Sequence, residues 1–180
     1  MLSLAAQFQL EWSHHYGTVL PMGWHLRRDR TRPWVRFHAL PLSKRYAENS
    51  SDEAIILSRA NWIGDRVLGL GASCWLVEAR YEDSDAAGDL WLTAREDEDP
   101  DAPAWRFYLR NQDWRSGDFD EKLLAIADDQ PDRAIWMRRD TGAVFAPYDG
   151  GFDIFLTDRQ EETALKKERP GWFSDHPEGL

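Results

Sequence analysis

Residues 141–157 read TGAVFAPYDGGFDIFLT, the span of the chain with the densest local structural instruction. Two short apolar runs, 144–147 and 152–156, flank Asp149-Gly150-Gly151, which supplies residues that tolerate positive φ in a tight turn. The stretch therefore predicts a β-hairpin, with Gly150 as the residue that needs the left-handed backbone. On the return strand Phe152, Ile154 and Leu156 fall on one face at period two, and Asp153 and Phe155 on the other. That strand is expected to be central to the sheet.

Upstream, RAIWMRR (133–139) leads into the hairpin, and SCWLVEARY (73–81), DLWL (89–92) and AWRFYLR (104–110) have the composition of neighbouring strands. Between these runs EDSDAAGD and REDEDPDAP read as solvated acidic turns. WVRFHAL (34–40) is a further strand, with Val35, Phe37 and Ala39 on one face. Four helices are expected. Leu4, Ala5, Phe8 and Trp12 recur at helical spacing between a Ser3 cap and Gly17, although the alternation of Phe8, Leu10 and Trp12 also suits a strand. A capping box from Ser50 to Glu53 opens a helix over about 51–68, with Ile56, Ala60, Ile63 and Val67 as its stripe and Gly69 and Gly71 as its stop. Asp118 caps a third over 119–127, with Phe119, Leu123 and Ile126 inward, and Thr157 with Gln160 opens a fourth that closes near Lys167. Strands joined by turns rather than crossover helices imply an α+β fold. The expectation is one domain over 1–180, a mainly antiparallel sheet with about four helices packed on one side.

A chain of 180 residues can bury about 70% of the surface its unfolded form exposes, and ten tryptophans favour a large core or an interface. A net charge of −10 argues against a dedicated nucleic-acid binder. The charge is uneven: residues 1–60 hold eight Lys and Arg against five acids, +3, and residues 61–180 hold 14 against 27, −13. The single cysteine, Cys74, excludes an internal disulfide and suits a reducing compartment. No run approaches the ~20 apolar residues of a membrane span, and the N-terminus lacks a basic signal-peptide region, so a cytoplasmic protein is expected.

Catalytic signatures are missing. GLGAS (69–73) follows a helix and opens a strand, the reverse of a dinucleotide loop, and reads as a helix stop. His14, His15, His25, His38 and His176 are too scattered for zinc, and Cys74 falls in a strand where a thiol is inert. No catalytic residue, metal or cofactor is assigned. LPLSKRYAENS (40–50) places Lys44, Arg45 and Tyr46 in a polar loop at a strand end, able either to hold a carboxylate or phosphate or to tie the basic segment to the acidic half. PYDGGFD (147–153) offers Asp149 and Asp153 to a hard cation or as an acid/base pair, although turn chemistry alone explains Asp149. The candidate ligand-binding set is His38, Lys44, Arg45, Tyr46, Tyr148, Asp149 and Asp153, of which His38, Lys44, Arg45, Tyr46 and Asp149 are expected to converge on one concave site.

RFHALPLSKRYAEN followed by a helix, then APYDGGFDIFL, then GWFSDHPEGL, together resemble an uncharacterised bacterial family of domains of unknown function that carries these blocks in this order. The resemblance implies a small cytoplasmic α+β protein and transfers no catalytic residue. Two functions stay open. One is a non-enzymatic interaction protein, of immunity or regulatory type, whose acidic surface and tryptophans meet a basic protein partner rather than nucleic acid or a membrane. The other is a small-anion binder, or an enzyme on a phosphorylated or carboxylated ligand, using the SKRY loop and the PYDGG turn.

Overall fold

The computed structural model describes residues 2–29, 31–81, 88–95, 101, 104–131 and 133–173. Its seven strands are β1 (Trp34–His38), β2 (Ser73–Tyr81), β3 (Asp89–Ala94), β4 (Trp105–Asp113), β5 (Arg133–Arg138), β6 (Val144–Tyr148) and β7 (Gly151–Phe155). They form one sheet in the order β1-β7-β6-β5-β2-β4-β3, every pairing antiparallel. The helices are α1 (Leu4–Tyr16), α2 (Gly23–Leu26), α3 (Ser50–Gly64), α4 (Asp120–Ala127) and α5 (Arg159–Glu168), with a π-helical turn, Asp65–Gly69, continuing α3. The fold is α+β, mainly sheet. The acidic turns expected over 82–89 and 95–103 lie largely outside the described residues, as does the end of the GWFSDHPEGL block.

The hairpin is present, with two corrections. Asp149 and Gly150 alone make the turn, Tyr148 already pairing with Gly151, and Gly150 stays out of the left-handed region. The glycine requirement falls instead on Gly151, where a Cβ would lie 2.1 Å from the Phe37 carbonyl oxygen, because β1 passes close against it. Nor is the return strand central. β7 stands next to the edge, between β6 and β1, yet all five of its residues are buried because helices cover both faces of the sheet.

Helices on both faces replace the expected one-sided arrangement. On one face the predicted stripe Ile56, Ala60, Ile63 and Val67 packs with Leu123, Ile126 and Leu165 against Leu76, Trp136, Phe145 and Ile154. On the other, Phe8, Trp12 and Tyr16 of α1 and Met22 and Leu26 around α2 cover Trp75, Val77, Phe107 and Phe155. A strand covered twice reads as a continuous apolar run, which is why 74–79 in β2 is buried throughout. Gly64 lets α3 lie directly against Trp114, since a Cβ there would sit 1.9 Å from the Trp114 ring.

Cap chemistry differs from the sequence reading by a residue or so, because several adjacent side chains compete for the same amides. Ser3 caps α1 as expected, accepting the Ala6 amide at 3.2 Å. For α3 the Asn49 carboxamide oxygen accepts the Ser51 and Asp52 amides, so Ser50 is already helical. Asp158, not Thr157, caps α5 through the Gln160 amide at 2.7 Å. Asp118 caps nothing: α4 begins after Phe119 without a side-chain cap bond.

The sheet splits between β5 and β6. Only Trp136↔Phe145 and Met137↔Val144 pair there, against six residue pairs between β2 and β5 and five between β6 and β7. The Arg138 amide donates to the Ala143 carbonyl at 2.9 Å, so by two-residue alternation Ala134 turns its peptide groups toward β6 and Pro147 turns its nitrogen toward β5. Proline carries no N–H, and the ladder stops where it would be needed.

Candidate functional site

A cleft of about 660 Å³ opens at this split, with Ala134 and Ile135 of β5 on one side and Ala146, Pro147 and Tyr148 of β6 on the other. Four arginines line it, Arg27, Arg36, Arg45 and Arg133, against two carboxylates, Asp149 and Asp153. The cleft is thus cationic in a protein whose net charge is −10.

Its base is a buried ion pair. Arg36 stands opposite Asp153 in the β1–β7 register, and its Nε and Nη2 each donate at 2.9 Å to the two carboxylate oxygens. Trp34 adds an indole N–H at 3.0 Å, and Arg27 Nε lies 3.4 Å from Asp153 Oδ2. Arg36 is 7% exposed and Asp153 3%. Burial alone would weaken the charged guanidinium, but the bidentate bond and the carboxylate charge outweigh it and hold the Arg36 pKa above its ordinary value. The same guanidinium lies 4.4 Å over the Tyr148 ring, and burial pushes the Tyr148 hydroxyl up to about 12.

At the rim Asp149 accepts from Arg45 Nε at 2.7 Å, Arg45 Nη2 at 2.5 Å and the Tyr46 hydroxyl at 3.0 Å, which raises the Tyr46 pKa. The Arg45 side chain remains 64% exposed. His38, at the end of β1, meets the Ser43 hydroxyl at 3.3 Å through Nε2. Burial, with the charges of Arg59 and Arg36, pushes its pKa down, so the imidazole is uncharged at neutral pH. The turn that delivers Ser43 is built from two consecutive left-handed residues, Leu42 and Ser43, both at φ 56°.

Five of the seven candidates, His38, Arg45, Tyr148, Asp149 and Asp153, therefore share one cleft. Lys44 does not; it turns to Asp52 at 2.6 Å and Glu48 at 2.9 Å and anchors the start of α3. Tyr46 reaches the site only through Asp149. Asp149 and Asp153 each face guanidinium groups, so they do not stand as a pair of carboxylates open to a hard cation. The sequence reading missed Arg27, Arg36 and Arg133. Arg36 left a readable trace as the charged position inside an otherwise apolar strand; Arg27 and Arg133 are indistinguishable in the sequence from solvated arginines.

A second cavity, about 770 Å³, lies on the α4 side and shares Arg133 and Ala134 with the first. Its Glu78, 2% exposed, is paired with Lys122, with Arg110 at 2.6 Å and with Arg80 at 3.5 Å. Burial would raise the Glu78 pKa, but the Lys122 and Arg110 bonds and charges overcome it and hold it low. That carboxylate is consumed by its own neighbours. Cys74 is buried, and burial pushes its thiol up to about 12, the inert state expected of it.

The sequence pattern of DUF3885, a domain of unknown function, matches residues 22–177. The chain belongs to the DUF3885 family. Within this DUF3885 chain the matched span contains all seven candidate residues and the four cleft arginines. No curated protein and no solved structure matches it. None of its described helices is long and apolar enough to cross a membrane.

Proposed function

We propose that this DUF3885 protein binds a small anion, phosphorylated or carboxylated, in the split between β5 and β6. The observation that carries the reading is the gathering of Arg27, Arg36, Arg45 and Arg133 on one cleft of about 660 Å³ in an acidic protein. Clefts of roughly 300–1,000 Å³ suit small ligands, and guanidinium forks suit planar or tetrahedral oxyanions. Arg36 serves as the fixed base, its orientation set by Asp153. Arg45, mostly exposed and tethered to Asp149, is placed to close on a ligand at the rim.

Thermal melting tests it. Millimolar phosphate, sulfate or citrate should raise the melting temperature of the wild type, since a ligand bound only to the folded state stabilises it in proportion to its saturation. Arg45→Ala should remove most of that rise while leaving the ligand-free melting temperature close to wild type, because an exposed ion pair contributes little. Absence of a shift with any of these anions would overturn the proposal. The competing reading, docking of a basic protein partner through the acidic half, rests on net charge and predicts instead an association that slows steeply with salt.

A further inference from the structure

Ser43 and His38 form a pair of a kind that anion binding alone does not require. Both line the cleft, and the Ser43 hydroxyl stands 3.3 Å from His38 Nε2. Ser43 is exposed, while His38 is half-buried. The backbone around His38 is fixed by three elements. Its amide donates to the Trp172 carbonyl at 2.7 Å, its carbonyl accepts from Arg59 Nη1 at 2.7 Å, and the Ala39 amide donates to the Gly150 carbonyl at 3.0 Å. Ser43 arrives there at a backbone cost, since Leu42 and Ser43 are consecutive non-glycine residues at φ 56°, a region that L side chains seldom adopt. Burial of the leucine does not offset that cost, because Leu42 is fully exposed. What the turn achieves is the placement of Ser43 on His38 and, two residues on, of Arg45 on Asp149. Strained backbone of this kind concentrates at reacting groups. Burial and the charges of Arg59 and Arg36 keep the imidazole uncharged at neutral pH, the form in which Nε2 accepts a proton. A bound anion offsets that positive field and strengthens the base once a substrate is in place.

We infer that Ser43 is a nucleophile with His38 as its general base, and that the cleft cleaves a carboxylic ester bearing an anionic group. For that charged group the inference rests on the anion-binding reading above, with Arg45 at the rim to hold it. Ser43 Oγ passes its proton to His38 Nε2 and bonds to the ester carbonyl carbon. The bond from that carbon to the alkoxy oxygen breaks, and the alcohol leaves with the proton from His38. Water then attacks the acylated serine, giving a proton to His38 Nε2, and the acid departs as Ser43 Oγ takes that proton back. The sum is ester plus water to acid plus alcohol, with no further reactant. The two carboxylates described at the cleft, Asp149 and Asp153, are each bonded to guanidinium groups. They are not open to the divalent cation that phosphoryl transfer commonly uses, which favours an acyl over a phosphoryl substrate.

Labelling of the full chain with phenylmethylsulfonyl fluoride, followed by peptide mass mapping, tests the nucleophile. The adduct should fall on Ser43 and be absent from Ser43→Gly, a change that suits the left-handed backbone and so keeps the turn. In His38→Gln labelling should slow by about a hundred-fold or more, the contribution of a general base, and millimolar citrate should suppress it in the wild type. The ester para-nitrophenyl succinate, which keeps one free carboxylate, should show a higher kcat/KM than para-nitrophenyl acetate, and Ser43→Gly should turn over neither above the solution rate. Labelling of other residues only, labelling of Ser43 at an unchanged rate in His38→Gln, or ester turnover that survives Ser43→Gly would overturn the inference. If the citrate-induced rise in melting temperature persists in those cases, anion binding stands alone; if that rise is missing too, both readings fall. Labelling of Ser43 that citrate leaves untouched, or release from para-nitrophenyl phosphate and not from the esters, would overturn the substrate class.

Discussion

Gly151→Ala is the substitution through which the fold and the site can be tested together. A Cβ at this position would lie 2.1 Å from the Phe37 carbonyl oxygen and 2.9 Å from the Tyr148 hydroxyl. An ordinary carbon–oxygen contact is about 3.3 Å, so β1 and β7 must separate by about 1 Å where His38 pairs with Gly151. Forcing one extra carbon into a close-packed site costs about 1–3 kcal/mol. The upper end is expected here, because the obstacle is backbone and the displacement reaches the Arg36–Asp153 pair two residues along. At about 2–4 °C per kcal/mol for a chain of this size, 3 kcal/mol lowers the melting temperature by roughly 6–12 °C. Gly150→Ala is the matched control: its backbone is not left-handed, and its nearest neighbour is the Tyr148 ring at 3.3 Å, so a drop of no more than a few degrees is expected. Differential scanning calorimetry of the two variants decides it. A Gly151→Ala protein that melts with the wild type, or a Gly150→Ala protein that is the less stable of the two, would refute the close-approach account.

Asp153→Ala leaves Arg36 buried without its counter-charge and should cost about 3–5 kcal/mol by urea titration, whereas the double change Arg36→Met with Asp153→Ala should cost less than that single one. Gly64→Ala would place a Cβ 1.9 Å from the Trp114 ring; a loss of about 1–3 kcal/mol with an altered near-ultraviolet spectrum is expected. Burial and the Arg59 and Arg36 charges hold folded His38 below its ordinary value of 6.5, so the unfolded chain takes up the proton first. Stability is then present above about pH 6.5 and lost as pH falls below it, a loss that His38→Gln should reduce and that His15, lowered likewise, should share. Sulfate stays dianionic across this range, and its affinity should rise on acidification as His38 gains charge beside Arg36, an effect absent in His38→Gln.

The local elements were legible because their periodicities are strong. The alternation in 152–156 placed Phe152, Ile154 and Leu156 on one face and Asp153 on the other, as found, and the stripe through Ile56, Ala60, Ile63 and Val67 faces the core. What no local pattern carries is long-range pairing. That β1 would lie beside β7 makes the return strand penultimate rather than central, and that pairing also brings Arg36 onto Asp153. The expectation of helices on one side failed for the same reason: Phe8, Trp12 and Tyr16 show that α1 has a buried face, but not which face of the sheet receives it. Lys44 illustrates a different limit. Its residue type fits an anion site, and only the position of Asp52 on the first turn of α3 turns it away. Pro147, the last residue of the apolar run 144–147, falls where the β5–β6 ladder stops, a consequence of its missing N–H that only the partner strand makes visible.

The pairing of β1 with β7 also sets an order of events during synthesis. Arg36 precedes its partner Asp153 by 117 positions, so at about 5–20 residues per second β1 waits roughly 6–23 s for the strand that will hold it. Through that interval Val35 and Phe37 have no sheet to join, which makes a chain stalled before the hairpin a substrate for chaperones and proteases. The basic wall of the cleft likewise waits for β7, since Asp153 holds Arg36. An anion bound in the proposed cleft would therefore stabilise the chain only once β7 has been made, raising the protein's abundance after translation rather than its rate of folding on the ribosome.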